Sequence, residues 1–316
     1  MLGLGVSSAS QLGGTAFALE NSILAAFKTR VLADSGVVED YACLNLDVKD
    51  LITEPAPFTT GLLEFYPGAA AAYSLRQLRR SVSPYAIRVR RSSDSQEQDI
   101  GFNSNGELDT NALLDFAEGG DAFVSVWYDQ SSNGNDATQT STASQPKIVS
   151  SGSVVTENGK PAIYSGTGRA WLGTGQISYS SSFISAAFSR ISRKGANDSV
   201  YLFQGLPYNQ LYSNSSNWQY FSTTTGYDTG LSLTNNQQLI SVEDTGAATT
   251  YYKNGTAGNT HSISNNVVNK TFELFYQPAA NYGTEGNFQE LVLWDSDQSS
   301  NRTGIESNIN EYYSIY

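Results

Sequence analysis

The spacing of apolar positions along this chain changes near residue 68, from a helical period to short alternating runs. In TAFALENSILAAFKTRVLADSG the residues Leu19, Ile23, Ala26, Phe27 and Val31 recur at helical spacing, and Asp34-Ser35-Gly36 supplies a stop. That predicts one amphipathic helix. A second, shorter one is predicted in ACLNLDVKDLI, where Leu44, Val48, Leu51 and Ile52 share a face. TEPAPFTTGLLEFYPG, with Pro55, Pro57 and Pro67, breaks the pattern as a linker or extended arm would. Helices this short are marginal alone, so their apolar faces need a partner, either the rest of the chain or another protein.

From residue 68 the signals are those of a β protein. GAAAAYSLRQLRR, Gly68 to Arg80, reads as an opening helix, and YAIRVRR alternates Ile87 and Val89 against Arg88 and Arg90 as a strand with one dry face does. Asp109-Thr110 caps LLDFAE and Gly119-Gly120 ends it, which predicts a short helix. AFVSVWYDQ is a strong strand, followed by the SSNGND turn. Further strands are expected in PKIVSS, KPAIYS, SSFISAAFSRI, DSVYLFQG, WQYFSTT, QLISVEDT, ATTYYKNGT, KTFELFYQP and FQELVLWDS. Asn254-Gly255 marks a hairpin turn, and Ile305, Ile309, Tyr312 and Tyr313 mark a terminal helix docked on the sheets. The fold expected is mainly β, an antiparallel β-sandwich of jelly-roll type, with a small helical N-terminal extension. The expected organisation is a helical anchoring or assembly region and linker over 1–66 and the sandwich over 67–316.

Composition narrows the function. The chain has 316 residues, 39% apolar and 15% charged, with 19 Tyr and 28 Gly, the polar but weakly charged surface of extracellular or virion β proteins. A net charge of −12 argues against nucleic acid and against an acidic membrane surface, because phosphate binding rests on Lys and Arg. No run approaches the ~18 apolar residues of a membrane helix, and MLGLGVSSASQLGG lacks a basic segment followed by an apolar one. Arg76, Arg79, Arg80, Arg88, Arg90 and Arg91 form a local basic run. Asp94, Glu97 and Asp99 follow it closely, so the run reads as internal ion pairing and not as a binding patch.

Candidate chemistry is sparse. Cys43 is the single cysteine, so no intrachain disulfide forms, and the single His261 removes most zinc sites and Ser-His-Asp triads. No cofactor is called for. Asp129, Ser131, Asn133 and Gly134 imitate part of a calcium loop, but Thr140 stands where the bidentate carboxylate is needed, so no metal is expected. Asp129 reads as an anchor for the turn after its strand, accepting backbone hydrogen bonds. A glycan site would need aromatic platforms interleaved with amides, and PYNQLYSNSSNWQYF offers Tyr208, Tyr212, Trp218 and Tyr220 in that arrangement. On a loop these rings would bind sugar; on a strand they would equally serve as core.

Residues 69–163, with RVRRSSD, DIGF and WYDQSSNGND in that order, resemble the first part of the catalytic domain of the alpha-L-arabinofuranosidase B family. The resemblance implies a concanavalin A-like β-sandwich. It also implies a nucleophilic Glu near Asn209, after SVYLFQGLPYNQ, and an acid/base Asp shortly before Gly286-Asn287-Phe288-Gln289-Glu290, within residues 278–281. Retaining hydrolysis needs two carboxyl groups ~5–5.5 Å apart, and neither place holds one in this chain. With its ending GNFQELVLWDSDQSSNRTGIESNINEYYSIY and a helical piece over residues 16–52, nearly the whole chain is also similar to lectin-like domains in structural proteins of tailed bacteriophages. The expectation carried forward is therefore a non-enzymatic virion protein, a fibre, tail or capsid-surface component located in the virion. Other virion proteins would hold residues 1–66. Leu19, Ile23, Phe27 and Val31 would form the seam of a homo-oligomer, most simply a trimer, with host-surface glycan binding as an added role. An arabinofuranosidase-like glycoside hydrolase and a free carbohydrate-binding module are the alternatives.

Overall fold

The computed structural model describes residues 61–80, 83–166, 170–179, 182–193, 209–213, 217–222, 225–262, 268–277 and 282–316. The helices expected before residue 60, with Leu19, Ile23, Phe27 and Val31, lie outside the described residues. By compactness the chain divides into Met1–Pro57 and Phe58–Tyr316.

The second unit opens with a one-turn helix, α1 (Leu62–Phe65), followed by strands β1 (Ala69–Ser74), β2 (Tyr85–Arg91) and β3 (Glu97–Gly101). Helix α2 (Thr110–Ala117) leads into β4 (Ala122–Trp127). Short strands come next: β5 (Ala137–Thr138), β6 (Lys147–Ser150), β7 (Ser153–Val154), β8 (Thr156–Glu157), β9 (Lys160–Pro161) and β10 (Ile163–Tyr164). The longer strands are β11 (Leu172–Tyr179) and β12 (Ser182–Arg193), then β13 (Asn209–Ser213), β14 (Asn217–Ser222) and β15 (Thr225–Ser232). β16 (Gln238–Asp244), β17 (Thr249–Lys253), β18 (Thr256–His261), β19 (Val268–Leu274), β20 (Tyr276–Gln277) and β21 (Tyr282–Trp294) precede the terminal helix α3 (Arg302–Tyr313).

Sixteen of these strands form one antiparallel sheet, ordered β18-β17-β16-β12-β21-β10-β6-β4-β5-β11-β19 along its main path. The fold is mainly β with few helices, consistent with a β-sandwich. β21 is its hub, pairing with β12 along one edge and with β1 and β10 on the other. Its LVLW run reads as continuous apolar sequence because both faces are covered. Leu291 and Leu293 enter the main core, while Val292 and Trp294 enter a second core with Leu62, Leu63, Phe183, Ile305, Ile309 and Tyr313. Between the pairs Ala187↔Glu290 and Phe188↔Phe288 the register shifts by one residue at Gln289. That bulge turns Phe288 to the main core, where it lies 4.0 Å from Phe275 between ring centroids.

Most local signals are realised. Asp109 caps α2 by accepting from the Ala112 N–H at 3.0 Å, and Glu118 and Gly119 end the helix in the left-handed region. Asn254 (φ 50°) and Gly255 (φ 76°) make the β17–β18 turn with both central residues at positive φ, which the right-handed twist of the strands favours. The terminal helix docks through Ile305, Ile309 and Tyr313. The opening helix expected over Gly68 to Arg80 is replaced by β1. Ala is a strong helix former, yet all six residues of β1 are buried, and small side chains let a strand sit between β21 and the layers on both faces. Burial on both sides outweighs a propensity of a few tenths of a kcal/mol per residue.

Candidate functional site

The WYDQSSNGND segment completes β1. Asp129, 5% exposed, accepts from the Ala72 N–H at 2.8 Å and the Ser131 N–H at 2.9 Å through Oδ1. Its Oδ2 accepts from the Ser131 hydroxyl at 2.7 Å and the Asn135 N–H at 2.9 Å. Asn133 and Asn135 donate side-chain N–H groups to Ala70 O, and the Gln130 N–H donates to Ala72 O at 2.7 Å. The Gln130 side chain bonds Ser74 O, Arg76 O and the Leu78 N–H. Side chains and one backbone N–H of one loop thus satisfy the edge of β1 that faces away from β21. Asp129 is the turn anchor expected of it.

Four arginines of the run, Arg76, Arg88, Arg90 and Arg91, are framework. Arg88 forms two bonds to Asp99, at 2.7 and 2.9 Å, and Tyr128 donates to the same carboxylate at 2.6 Å. The Arg88 hydrogen bond holds the Asp99 carboxyl below its ordinary range, against an opposing push from burial. Arg91 pairs with Asp94 and Glu118, and Arg90 donates to Gln145. Arg76, at the end of β1, makes a two-pronged pair with Glu290 of β21 at 2.7 and 2.9 Å. Ser74 and Tyr313 donate to Glu290 as well. Burial pulls the Arg76 guanidinium down, and the charge and hydrogen bonds of Glu290 more than reverse it. Glu290 is therefore committed to holding β1, β21 and α3 together.

The aromatic glycan tract separates. Tyr208 and the side chain of Tyr212 lie outside the described residues. Trp218 is fully buried, edge-on to Phe188 at 5.6 Å, with its Nε1 donating to Gln238 at 3.2 Å. Tyr220 is 3% exposed against Tyr251. β14 is the middle strand of the β13-β14-β15 sheet, so residues two apart share the face that packs on the main core. In this fold both rings are core, out of reach of a sugar in solvent. Asn209 opens β13, and residues 278–281 lie outside the described residues.

A cleft of about 400 Å³ opens instead where β5, β11 and β19 run side by side. Thr138, Gly173 and Glu273 stand opposite one another across the three strands, so they share one face. Gly173, in the middle, presents no side chain, and the gap is covered by an indole ring. Trp171, two residues before Gly173, lies over it: a Cβ at Gly173 would meet the indole Cζ3 at 2.7 Å. Beyond Gly173 the register with β19 shifts, and in that irregular step the Thr174 hydroxyl accepts from the Phe272 N–H at 2.9 Å. Thr140 and Thr271 add hydroxyls to the lining, and its described residues include no Lys or Arg. Burial pushes the Glu273 carboxyl up, and its Oε2 is enclosed without a hydrogen-bond partner. Sequence reasoning passed over this place. The signal was WLGTG, a tryptophan beside two glycines in a strand, which marks a close approach over the sheet.

An antiparallel β-sandwich with a polar cleft on a sheet face is an architecture shared by many carbohydrate-active proteins and defines no single activity. Comparison with known proteins narrows it. The family profile "Alpha-L-arabinofuranosidase B, catalytic" matches residues 65–210. Among solved structures, a GH54 a-l-arabinofuranosidase soaked with a cyclic sulfate inhibitor aligns with a TM-score of 0.63 at 16% identity, over 78% of this chain and 64% of that one. A point mutant of the GH54 enzyme soaked with 4-nitrophenyl a-l-arabinofuranoside aligns at 0.64 and 17% identity, over 78% and 64%. An arabinofuranosidase complexed with arabinofuranosyl-alpha-1,2-xylobiose aligns at 0.63 and 15% identity, with the same coverage. The chain thus spans about 64% of the length of the solved structures it resembles. No curated protein matches the sequence.

These findings overturn the expectation of a non-enzymatic bacteriophage virion protein. The matching profile is that of a catalytic domain, and the similar structures reported are glycoside hydrolases. The search for the two carboxyl groups counted positions through loops, which vary in length, so it does not outweigh a catalytic-domain match carried by strands that keep their order.

Proposed function

We propose that this chain is an arabinofuranosidase-like glycoside hydrolase built on a concanavalin A-like β-sandwich of jelly-roll type. The observation that carries the reading is the catalytic-domain match over residues 65–210, which spans the β1–WYDQ framework and runs on to the start of β13. The alignments at TM-scores of 0.63 and 0.64 support the same scaffold. Cleavage of a furanoside needs one carboxyl to protonate the leaving oxygen and a second to attack the anomeric carbon or activate water. A short-chain arabinofuranoside on a xylan-type backbone is the substrate class this reading expects.

The test is release of 4-nitrophenol from 4-nitrophenyl α-L-arabinofuranoside by the full chain, followed by replacement of each Asp and Glu by its amide. Turnover that two such substitutions abolish supports the reading. No release from this substrate or from arabinose-decorated xylooligosaccharides overturns it.

A further inference from the structure

Helix α3 meets β16 and β17 through a buried group of charges that does not balance. Glu306, in the second turn of α3, is 2% exposed, and Glu243, on β16, is 9% exposed. Arg302, one turn before Glu306, is the cation that serves both. It pairs with Glu306 Oε2 and lies 4.0 Å over the Tyr252 ring, whose hydroxyl donates to Glu243 Oε2 at 3.4 Å. The other groups acting on the two carboxyls are the Ser241 hydroxyl and the exposed Asp297, and Glu306 in turn acts on the Tyr316 hydroxyl. Two buried carboxylates beside one guanidinium leave an excess of negative charge, and Asp297 adds to it. Glu306 Oε1 sharpens the imbalance. It is enclosed without a hydrogen-bond partner, so an ionised Glu306 lacks half of the bonding that a buried carboxylate needs.

Electrostatics point the same way. Burial pushes both carboxyls up, with Asp297 adding at Glu243 and Glu243 adding at Glu306, against the opposing pull of Arg302 on both and of Ser241 on Glu306. Carboxyls coupled in this way titrate as a unit, and the proton belongs to the pair.

The two ends of α3 are held differently. At the C-terminal end, Asn158 donates to the Tyr313 and Ser314 carbonyls, and the Tyr313 hydroxyl donates to Glu290, the partner of Arg76. At the N-terminal end Asn301 makes no side-chain cap and Gly304 weakens the first turn. Ile305 and the charges around Glu306 hold that end to the sheet.

We infer that Glu243 and Glu306 hold one proton between them in the folded chain, and that giving it up as the pH rises loosens the N-terminal half of α3 from β16 and β17. The helix is then a pH-sensitive cover over Leu239, Phe183 and Trp294 of the second core, closed in acid and looser toward alkaline pH. The folded pair keeps a proton that an unfolded glutamate, with its pKa of ~4.3, gives up. The stability it supplies is therefore full below about pH 4 and is lost as the pH rises through the folded titration, opposite in sign to the contribution of Asp99 and Asp121. None of this depends on the hydrolase reading.

Hydrogen–deuterium exchange of the full chain, followed on a peptide covering residues 302–308, tests the inference. After correction for the intrinsic pH dependence of amide exchange, the opening constant is expected to rise by up to about tenfold per pH unit above about pH 4.5 and to level off once the pair has lost its proton. At about pH 8 the same peptide is expected to be at least about tenfold less protected than β4, the mark of local opening. Glu306→Gln cannot ionise and keeps an oxygen for Arg302, and Glu243→Gln leaves one carboxylate to one guanidinium. Each is expected to hold the opening constant within about twofold between about pH 5 and pH 8. Glu273, whose carboxyl burial also pushes up, sits on β19 at the opposite end of the sheet's main path, and Glu273→Gln is expected to keep the wild-type slope.

Urea midpoints identify any variant that fails to fold, and the wild-type slope decides without the variants. An opening constant that does not change with pH overturns the inference. So do a Glu306→Gln profile parallel to the wild type, which marks a merely structural role, a slope that Glu273→Gln flattens, and equal protection of α3 and β4.

Discussion

Removing Arg76 leaves Glu290 as a buried charge without its counter-ion. The Glu290 side chain is 0% exposed and that of Arg76 10%, so neither recovers hydration in the folded state. Breaking a buried pair from one side costs ~3–5 kcal/mol, well above the ~0–1 kcal/mol of an exposed ion pair. Arg76→Met keeps the aliphatic bulk but loses both bonds to Glu290 and the bond to Asn308. It also loses the guanidinium that lies 4.8 Å over the Tyr312 ring. At ~2–4 °C per kcal/mol for a domain of this size, Tm is expected to fall by roughly 6–20 °C. In urea the midpoint should fall with the slope unchanged. Glu290→Leu should cost a similar amount, and the double variant Arg76→Met/Glu290→Leu should be more stable than the sum of the singles by about 1–3 kcal/mol. A single-variant loss below about 1 kcal/mol, or strict additivity in the cycle, would refute the argument that this pair is desolvated and coupled.

Asp129→Asn places an amide N–H₂ where Oδ2 now accepts from Ser131 and Asn135 or where Oδ1 accepts from Ala72, and should cost about 1–3 kcal/mol by urea unfolding. Gly255→Ala puts a side chain at φ 76° in the hairpin turn and 3.4 Å from the Tyr316 hydroxyl; a loss of about 1–2 kcal/mol is expected. Asp99 and Asp121 are both held below their ordinary carboxyl range, first of all by hydrogen bonds from Arg88 and Lys147. Their folded pKa values lie below the unfolded ~3.9, so the stability they add is present above about pH 4 and is lost as pH falls through the folded values. Urea midpoints between pH 6 and pH 3 should decline, and Asp99→Asn should flatten the decline; an unchanged slope would contradict the pairing.

The parts of the fold legible in the sequence were those decided within a few residues. Asp109 and Gly119 framed α2, Asn254-Gly255 placed a turn, and the alternation in YAIRVRR marked β2. The Ala run of β1 misled because helix propensity is a local quantity, whereas the burial of all six residues is set by β21 and by the loop at 129–135. Trp218 and Tyr220 misled for a related reason. An aromatic next to an amide reads alike on a sugar-binding loop and on a strand whose one face is core. The cleft was illegible because Thr138, Gly173 and Glu273 are far apart in sequence and meet only through the β5–β11–β19 register.

The sequence by itself determined that the chain would be mainly β, that Arg88 and Arg91 would pair with the acids that follow them, and that no intrachain disulfide could brace it. Those properties follow from side-chain period, charge proximity and residue count, all readable along one dimension. Tertiary structure decided which carboxylates were spent. Glu290 is neutralised by Arg76 across two strands, while Glu273 is enclosed beside Trp171 with one oxygen unpartnered. Both are glutamates in β-strands. Only the packing of distant strands sets their different surroundings, because desolvation and hydrogen bonding depend on neighbours in space.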